Sequence, residues 1–280
     1  MKWMETPVHI RDIPWRIHQY DTVDSTQNLA LCEARDIVSA GPDIPACGHF
    51  SAHIAHRQTH GRGQHARAWE SPEGGLYLSA VIAGAPEMET PATPLLAGVA
   101  VIRAIRRLPD ARAAHGDVTI RWPNDILLGG KKLAGILSEG ISAGGRQAVV
   151  IGIGLNLNTK TADFPPQIAA FATSLAACTR QIYDTAEVAR ILLDQIQTIW
   201  RDLATEPRSA TVDNAIQQIL RDDYLRDRLV TLSAAGQTIT GRGAGLSAAG
   251  ALLLQTAGGL IPIQSGTIVA VDGEPVRAAR

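Results

Sequence analysis

The chain has 280 residues, of which 45% are hydrophobic and 19% are charged, as in an ordinary globular protein of one large or two smaller domains. The formal net charge of -1 gives no overall attraction to nucleic acid or anionic membranes, and no apolar run is long enough to predict a membrane span. The three cysteines, Cys32, Cys47 and Cys178, are widely spaced and odd in number, which argues against a disulfide framework and favours the reducing cytoplasm.

The first part of the chain mixes helical and extended patterns. Residues 20–40 predict a short strand, a turn and a helix, and the β-rich residues 76–84 predict another strand. Residues 93–109 predict a buried helix that ends at a proline. Residues 117–141 predict a strand, a break at a proline and two further strands, which are joined by a turn at Gly129-Gly130.

The second part of the chain predicts helices and then a small β domain. Residues 147–158 predict a strand, and an amphipathic helix capped by Thr185 and a polar helix at 208–226 follow. After these helices, short β runs alternate with Gly-rich turns, which predicts a small barrel or sandwich of about five strands. Because regular strand–helix alternation is missing, we predict an α+β protein with domains at 1–226 and 227–280.

Histidines are concentrated in one stretch of the sequence. Residues 49–65 hold five of the eight, and His49, His53, His56 and His60 follow one another at intervals of four, three and four. On a helix this spacing would line one face with imidazoles, which are common metal ligands. The β-branched and small residues around them favour a strand, on which His53 and His56 face opposite sides. Since HExxH and cysteine-pair motifs are missing, we expect no metal held by a dedicated protein site.

The segment GRGQHARAW, residues 61–69, combines glycine, arginine and tryptophan. Its glycines free the backbone to turn and to present N–H groups to an anion. Arg62 and Arg67 can clamp phosphate or carboxylate oxygens, and Trp69 offers a flat apolar wall. A basic surface loop without a ligand is the competing interpretation. Complete P-loop and Rossmann fingerprints are not present in the sequence.

A second polar group lies in RWPNDILLGGKKLAGIL, residues 121–137. Asn124 and Asp125 stand at the predicted strand break, and Lys132 stands just after the predicted hairpin turn. A lysine that leads into an apolar strand can direct its ammonium group at a carboxylate or a phosphate. Lysines in turns are more often simply solvated, so this segment alone favours a solvated lysine over a functional one.

In combination these segments resemble the biotin–protein ligases, of the monofunctional type without an N-terminal DNA-binding domain. The resemblance is carried, in the same order, by DST, GRGQHARAW, SPEGGLYLS, RWPNDILLGGKKLAGIL and VVIGIGLNLN. It implies a class II tRNA-synthetase-like catalytic domain, with a mixed sheet and flanking helices, and a small C-terminal SH3-like β-barrel. About 16 residues precede the matching region, so we expect no winged helix and no sequence-specific DNA binding.

The resemblance implies an ATP-dependent ligase. Such an enzyme forms biotinyl-5′-AMP from biotin and ATP and transfers biotin to a lysine of a biotin carboxyl carrier protein of acetyl-CoA carboxylase. Mg²⁺ is expected to arrive with ATP. The alternatives are a lipoate ligase or octanoyltransferase, and a non-catalytic carrier-binding protein. The Gly-Arg-Gly loop and the C-terminal barrel favour biotin, and the presence of both Arg62 and Lys132 favours an enzyme. A membrane partner is not expected, and the oligomeric state is left open, a homodimer included.

Matching the chain to the family's motifs implies three groups of site residues. The catalytic group consists of Lys132, Arg62 and Asp125. The biotin-binding group consists of Ser25, Thr26, Gln27, Gln58, Arg62, Gly63, Gln64, Lys132, Gly135, Gly152 and Gly154. The ATP- or adenylate-binding group consists of Gly61, Arg62, Gly63, Arg67, Trp69, Asn124, Asp125, Lys132 and Asn156.

The chain also departs from the family's usual pattern. Gln64 stands where a basic residue is usual, and we expect it to retain the adenylate less tightly than arginine would. Ala66 stands at a frequent glycine, and because its Cβ disfavours a positive φ, we expect a negative φ there. In the C-terminal barrel no arginine is evident where some members contact ATP, which argues against such a role for this barrel.

Overall fold

The computed structural model of the protein describes residues 5–10, 13–40, 49–83, 92–114, 117–205, 208–247 and 249–276. Two β-sheets and their flanking helices make up this part of the chain. Cys47 lies outside the described residues, and the other two cysteines are free thiols.

The larger sheet has eight strands among the described residues. In chain order they are β1 (Glu5–Ile10), β2 (Ile13–Val23), β3 (His49–Gln58), β4 (Leu76–Ala83), β5 (Val118–Arg121), β6 (Asp125–Leu128), β7 (Lys131–Ala143) and β8 (Arg146–Leu155). Their spatial order is β1-β2-β3-β4-β8-β7-β6-β5. The pair β2 and β3 runs parallel, and the other neighbouring pairs of the described strands run antiparallel.

Helices cover both faces of this sheet. They are α1 (Thr26–Ser39), α2 (Thr93–Arg107), α3 (Pro166–Ala169), α4 (Leu175–Thr179), α5 (Thr185–Thr205) and α6 (Arg208–Arg221). Because both faces are covered, every residue of β4 is buried. Leu78 and Ile82 join the main core, which also contains residues of α2, α5 and α6, whereas Val81 packs in a smaller cluster with α1. The face below α1 is the one that also carries the candidate site.

The histidine-rich stretch forms strand β3, as the sequence predicts. Side chains alternate between the two faces of a strand, so histidines three residues apart point in opposite directions. His53 is buried, with 6% of its surface exposed, whereas His56 is exposed. The helical spacing of the histidines therefore does not bring these two imidazoles together.

The strands predicted within residues 117–141 are present as β5, β6 and β7. Between β6 and β7 the register shifts: Asp125 lies opposite Gly135, but Leu127 lies opposite Lys132, so β7 holds one extra residue there. Residues opposite one another share a face of the sheet. The bulge therefore places Lys132 on the same face as Asp125 and Gly135.

Two predicted helix boundaries are wrong. Helix α5 begins at Thr185, but its N-cap is Asp184, whose carboxylate accepts from the N–H groups of Ala186 and Glu187 at 2.8 and 3.4 Å. Helix α6 ends at Arg221 rather than near 226, because the next residues form backbone hydrogen bonds with Ile120 at the edge of the sheet.

The smaller sheet is antiparallel and has six strands among the described residues. They are β9 (Leu229–Ala234), β10 (Gln237–Leu246), β11 (Leu252–Thr256), β12 (Gly259–Ile263), β13 (Thr267–Val271) and β14 (Glu274–Pro275), in the order β12-β11-β10-β9-β13-β14. Its core side chains, among them Val230 and Leu254, continue the main core, and Trp122 Nε1 donates to the Gly250 carbonyl at 3.1 Å. The predicted α+β class with a small C-terminal β domain is confirmed.

No helix in the described part of the chain is both long enough and apolar enough to cross a bilayer.

Asp223 lies where the chain leaves the larger sheet for the smaller one. Its Oδ1 accepts from Leu225 N–H at 2.9 Å, but its Oδ2 is buried without a hydrogen-bond partner among the described residues. Burial raises the pKa of Asp223 to about 6, against the opposing effects of the Leu225 N–H and of Arg226. The folded state therefore binds this proton more tightly than the unfolded state does. Protonation of Asp223 therefore contributes fully to the free energy of unfolding below the pKa of an unfolded aspartate. This contribution is lost as the pH rises from there to about 6.

We expect Asp223→Asn to stabilise the protein more at pH 8 than at pH 4.5, by on the order of 1–2 kcal/mol, because asparagine cannot acquire the buried charge. Urea unfolding at both pH values measures the difference. Asp163→Asn, at an exposed position, is the control. An equal effect of Asp223→Asn at the two pH values would contradict the expectation.

Candidate active site

A cavity of about 270 Å³ lies on the α1 face of the larger sheet. The start of α1, the 61–69 loop and strands β6, β7 and β8 form its walls, and Thr267 and Ile268 of the smaller sheet close one side. Every site residue predicted from the sequence lines this cavity, with the exception of Gly61. The two polar groups of the sequence thus meet in a single site.

Asp125 lies between two cations at one end of the cavity. Its Oδ1 is 2.6 Å from Lys132 Nζ and its Oδ2 is 2.7 Å from an Arg121 guanidinium nitrogen, while its side chain is 15% exposed. Burial raises the pKa of Asp125, but the charges and hydrogen bonds of Lys132 and Arg121 outweigh that effect and hold the pKa below its ordinary value. Asp125 is therefore a fixed carboxylate, and the three groups together carry a net positive charge.

The position of Lys132 is also fixed through its backbone. Its N–H donates to the Phe171 carbonyl at 2.7 Å, and its carbonyl accepts from Thr173 N–H at 3.0 Å. Asn156 supports the same segment, since its Nδ2 donates to the Thr173 carbonyl at 3.0 Å. Asn124 acts similarly on β7, where its Nδ2 donates to the Ile136 carbonyl at 2.7 Å. Both asparagines line the cavity, and their amide groups hold its walls in place.

A chain of polar side chains lines the opposite end of the cavity. Gln58 Oε1 accepts from the N–H and the Oγ1 of Thr26 at 2.8 and 3.1 Å, and Gln58 Nε2 donates to Ser71 Oγ at 2.9 Å. Ser79 Oγ donates to Gln27 Oε1 at 3.1 Å and lies 2.9 Å from Thr26 Oγ1. Three contacts thus share the two hydroxyl protons of Thr26 and Ser79, so one contact lacks a proton. A polar group of a bound ligand can supply the missing hydrogen bond.

Ser25 adds an unsatisfied group at the same end. Its Oγ is buried and has no hydrogen-bond partner among the described residues. Ser25 is the N-cap of α1, but its side chain makes no capping hydrogen bond, and its own N–H donates to Asp24 Oδ1 at 2.7 Å. A buried hydroxyl without a partner is unfavourable unless a ligand or water satisfies it.

Glu139 connects the loop arginine to the start of α1. Its Oε1 is 3.0 Å from an Arg62 guanidinium nitrogen, and its Oε2 accepts from Gln27 Nε2 at 2.8 Å. Arg62 also donates to Asn28 Oδ1 at 3.2 Å. Sequence reasoning did not select Glu139. Strand alternation could have found it, since it lies on the same face as Gly135, four residues before it in β7.

Trp69 packs flat against two glycines of the sheet. Gly135 and Gly154 lie opposite one another on β7 and β8. A Cβ on Gly135 would lie 2.7 Å from Trp69 Cζ3, and a Cβ on Gly154 would overlap the indole ring. Lys132 Nζ lies 5.2 Å from the centroid of the ring, within the range of a cation–π contact. Gly152 makes room in the same way for Gln27 Oε1.

The 61–69 loop is a narrow hairpin. Trp69 N–H donates to the Gly61 carbonyl and Gly63 N–H to the Arg67 carbonyl, both at 2.8 Å. A Cβ on Gly61 would overlap the Trp69 carbonyl, so this glycine permits the close pairing, although it lies outside the cavity wall. Arg67 reaches the smaller sheet, where it donates to Thr267 Oγ1 at 3.3 Å.

The expectation of a negative φ at Ala66 is wrong. Ala66 has φ 56°, and His65 before it has φ 55°. The pairing of residues on either side forces the chain to reverse within Gln64–Ala66, and two left-handed residues complete this reversal. A left-handed conformation costs a non-glycine residue about 1–2 kcal/mol, which the flanking hydrogen bonds offset.

Comparisons with known proteins agree with this geometry. The family described as Biotin/lipoate A/B protein ligase family matches residues 48–156, and the Biotin protein ligase C terminal domain matches residues 228–270. The Bifunctional ligase/repressor BirA of Bacillus subtilis is 34% identical over 254 residues, which are 89% of this chain and 72% of that protein. The chain belongs to the biotin protein ligase family. The Biotin--[acetyl-CoA-carboxylase] ligase of Mycobacterium tuberculosis is 29% identical over 219 residues, 77% of each chain.

A solved structure shows the same likeness for the whole fold. The biotin protein ligase from Aquifex aeolicus in complex with biotin and ATP is 28% identical, with a TM-score of 0.69, and the match covers 94% of this chain and 99% of that one. The match therefore includes both β-sheets of the present chain.

The packing of Trp69 on Gly154 gives a stability test. We expect Gly154→Ala to destabilise the protein by about 1–3 kcal/mol, because the new methyl group overlaps the indole ring. In a Trp69→Ala background the same substitution should cost less than about 0.5 kcal/mol, because the ring is gone. Urea unfolding of the four proteins measures both costs.

Gly258→Ala is a matched control, since a Cβ there has only Thr256 Oγ1, at 3.8 Å, within reach. Equal costs of Gly154→Ala in the two backgrounds would show that the indole ring does not limit this position.

Proposed function

We propose that this family member is an ATP-dependent biotin protein ligase. It joins biotin and ATP to form biotinyl-5′-AMP and then transfers biotin to a lysine of a biotin carboxyl carrier protein. The observation that carries this proposal is the pairing of a cationic centre, Lys132 held by Asp125, with a partly unsatisfied polar pocket across one cavity. The biotin and ATP of the Aquifex aeolicus structure are the corresponding ligands of a relative.

The first step brings two anions together. A carboxylate oxygen of biotin attacks the α-phosphorus of ATP, a new O–P bond forms, and the bond to the β-phosphate breaks to release pyrophosphate. The repulsion between carboxylate and phosphates opposes this approach, so fixed positive charges on both sides lower the barrier. Lys132, Arg62 and Arg67 line the cavity and supply these charges. Most of the remaining catalysis is positioning.

Mg²⁺ enters this scheme as part of the nucleotide substrate. Asp125 and Glu70 are the carboxylates that line the cavity among the described residues. Both oxygens of Asp125 are engaged by Lys132 and Arg121, so this carboxylate does not offer a free ligand. The ion, when bound to ATP, neutralises phosphate charge.

The pocket at the start of α1 accepts biotin in this proposal. Ser25, Thr26, Gln27 and Gln58 orient its polar atoms, and Gly135, Gly152 and Gly154 leave the space that the Trp69 ring and Gln27 occupy beside it. On the nucleotide side, Gly63, Gln64, Arg67, Trp69, Asn124 and Asn156 contact the adenylate, and Gly61 shapes the loop that carries the first four of them. The expectation that Gln64 retains the adenylate less tightly than arginine would stays a prediction.

The second step needs a neutral carrier lysine. Its nitrogen attacks the acyl carbon of the adenylate, an amide bond forms, and AMP leaves with the electrons of the broken C–O bond. Asp125 is a poor acceptor for the released proton, since two cations hold its pKa low. The phosphate of the adenylate or AMP is the better acceptor. Asp125 acts by positioning Lys132.

Three further features accompany this proposal. The chain divides into a catalytic domain, 1–226, and a C-terminal domain, 227–280, whose Thr267 contacts the arginine of the adenylate loop. The location is the cytoplasm, which the free thiols of Cys32 and Cys178 favour. The carrier protein is the partner whose lysine enters the cavity in the second step.

The proposed function is tested by biotin-dependent exchange of pyrophosphate with ATP. We expect Lys132→Ala and Arg62→Ala each to reduce the exchange by at least about 100-fold, because each removes a fixed charge from the reacting groups. Lys131→Ala, at the exposed neighbouring position, should leave the rate unchanged. Lipoate added in place of biotin should not support exchange.

Two outcomes would contradict the proposal in different ways. Near wild-type exchange in Lys132→Ala or Arg62→Ala would refute the assignment of these residues. Exchange that depends on lipoate rather than biotin would refute the substrate.

Glu139 gives a second test, because it anchors both Arg62 and Gln27. We expect Glu139→Ala to raise the KM for biotin by about 10-fold, the effect of losing one charge-assisted anchor, with a smaller change in the KM for ATP. Glu139→Gln keeps an acceptor oxygen, so its KM for biotin should lie between those of the wild type and Glu139→Ala. Glu73→Ala, at an exposed position outside the cavity, is the control. An unchanged KM for biotin in Glu139→Ala would show that this carboxylate does not position the pocket.

A further inference from the structure

Three side chains with metal-ligating atoms meet on the α1 face of the sheet, outside the cavity. His18 on β2 and His53 on β3 lie opposite one another in a parallel pair of strands, so both imidazoles stand on the same face. Their rings stack with centroids 4.9 Å apart. Glu33 of α1 reaches down to them, with Oε2 2.6 Å from His53 Nε2. We propose that His18, Glu33 and His53 bind one divalent transition-metal ion.

The distances are close to those that an ion requires. One ligand atom from each of the three residues lies within 4.8 Å of the others. Bonds of about 2.0–2.2 Å from imidazole nitrogen or carboxylate oxygen to one ion place such atoms roughly 3–4 Å apart. The two rings stack at an interplanar angle of 18°, so the His18 ring must rotate about its side-chain torsions to direct a nitrogen at an ion bound to His53 and Glu33.

Neighbouring groups orient the proposed ligands, as they commonly do around metal ions. The second oxygen of Glu33 lies 3.0 Å from His49 Nε2, and His53 Nδ1 lies 2.9 Å from the Tyr20 hydroxyl. The contact with Tyr20 leaves Nε2 of His53 directed at Glu33. With 6% of its surface exposed, His53 is also shielded from water.

The charge of Glu33 suits a cation. Burial raises the pKa of Glu33, but hydrogen bonds from His49 and His53 outweigh this effect and hold the pKa well below its usual range. Glu33 is therefore an anion over the whole range of neutral pH. Without a metal, a proton must lie between His53 Nε2 and the Glu33 oxygen. An ion bound at Nε2 would move the imidazole proton to Nδ1, where the Tyr20 hydroxyl oxygen can accept it.

The ligand types select the class of ion. Two imidazoles and one carboxylate suit Zn²⁺, Fe²⁺, Co²⁺ or Ni²⁺, whereas Mg²⁺ and Ca²⁺ prefer oxygen ligands. Mg²⁺ that accompanies a nucleotide is therefore a weak competitor here. The spacing of the histidines in β3 alone predicts no metal site. The other ligands come from β2 and α1, which only the fold brings to His53.

A bound ion would join α1 to two strands of the sheet. Glu33 lies two helical turns after Thr26 and Gln27, which line the cavity at the start of the same helix. The ion would thus stabilise the folded chain and fix the helix that carries these two residues. None of the proposed ligands lines the cavity, so metal binding and biotin-dependent exchange are measured separately.

The test uses the full chain without a polyhistidine tag, stripped of metal by a chelator and titrated with Zn²⁺ in excess Mg²⁺ by calorimetry. We expect one ion per chain, and a melting temperature that rises by a few degrees, about the shift for one ligand-binding step. Co²⁺ should give the visible absorption of a low-coordinate site. Glu33→Gln and His18→Gln should each weaken Zn²⁺ binding by about 10-fold or more.

His56→Gln is the matched control, because this histidine lies on the same strand but faces the other side and is exposed. It should bind Zn²⁺ like the wild type. The proposal is overturned if the wild type takes up no Zn²⁺, or if Glu33→Gln and His18→Gln bind it as tightly as the wild type does. Since His18 is only partly buried, its variant keeps the test valid even if Glu33→Gln fails to fold.

Discussion

The candidate site depends on one buried carboxylate, Asp125, that holds two cations. Without it, Lys132 and Arg121 would be like charges brought close together at the end of three strands, and such an arrangement is strongly unfavourable. With it, Lys132 is fixed between the indole ring of Trp69 and the backbone of residues 171–173. The same pairing makes Asp125 unsuitable as a base. The carboxylate therefore positions a charge, and the fixed charge is what an adenylating enzyme needs between two anionic substrates.

A second constraint is the space above the sheet. The indole ring of Trp69 can lie against the sheet because two facing positions, Gly135 and Gly154, have no side chain. The hairpin that carries Trp69 is closed so tightly that Ala66 adopts a positive φ. This shows that pairing of the flanking residues decides the loop, rather than the preference of each residue. Loop, ring and glycines form one unit, and a change in any of them changes the shape of the cavity.

Much of this could be predicted from the sequence, for local reasons. The hairpin of β6 and β7 follows from a Gly-Gly pair between apolar runs, and the strand character of β3 follows from β-branched and small residues around its histidines. The features that could not be predicted depend on which face of a strand a residue occupies, or on contacts between residues that are far apart in the sequence. A bulge of one residue turns Lys132 to the face of Asp125, and no residue type marks it. The cluster of His18 and His53 depends on a parallel pairing of strands that are distant in sequence.

Helix α1 links the cavity to the cluster of His18, Glu33 and His53, two regions that the sequence alone does not connect. Its first residues, Ser25 as the N-cap and Thr26 and Gln27 as the first turn, bring unsatisfied or shared polar groups to the cavity, while Glu33 is tied to His49 and His53 of β3. Polar groups without a full set of hydrogen-bond partners destabilise a folded chain. Here they lie where a ligand can supply the missing hydrogen bonds. The firm anchor at Glu33 explains how the helix can keep such groups in place before a ligand arrives. Rigid support on one side is what allows an incomplete pocket on the other.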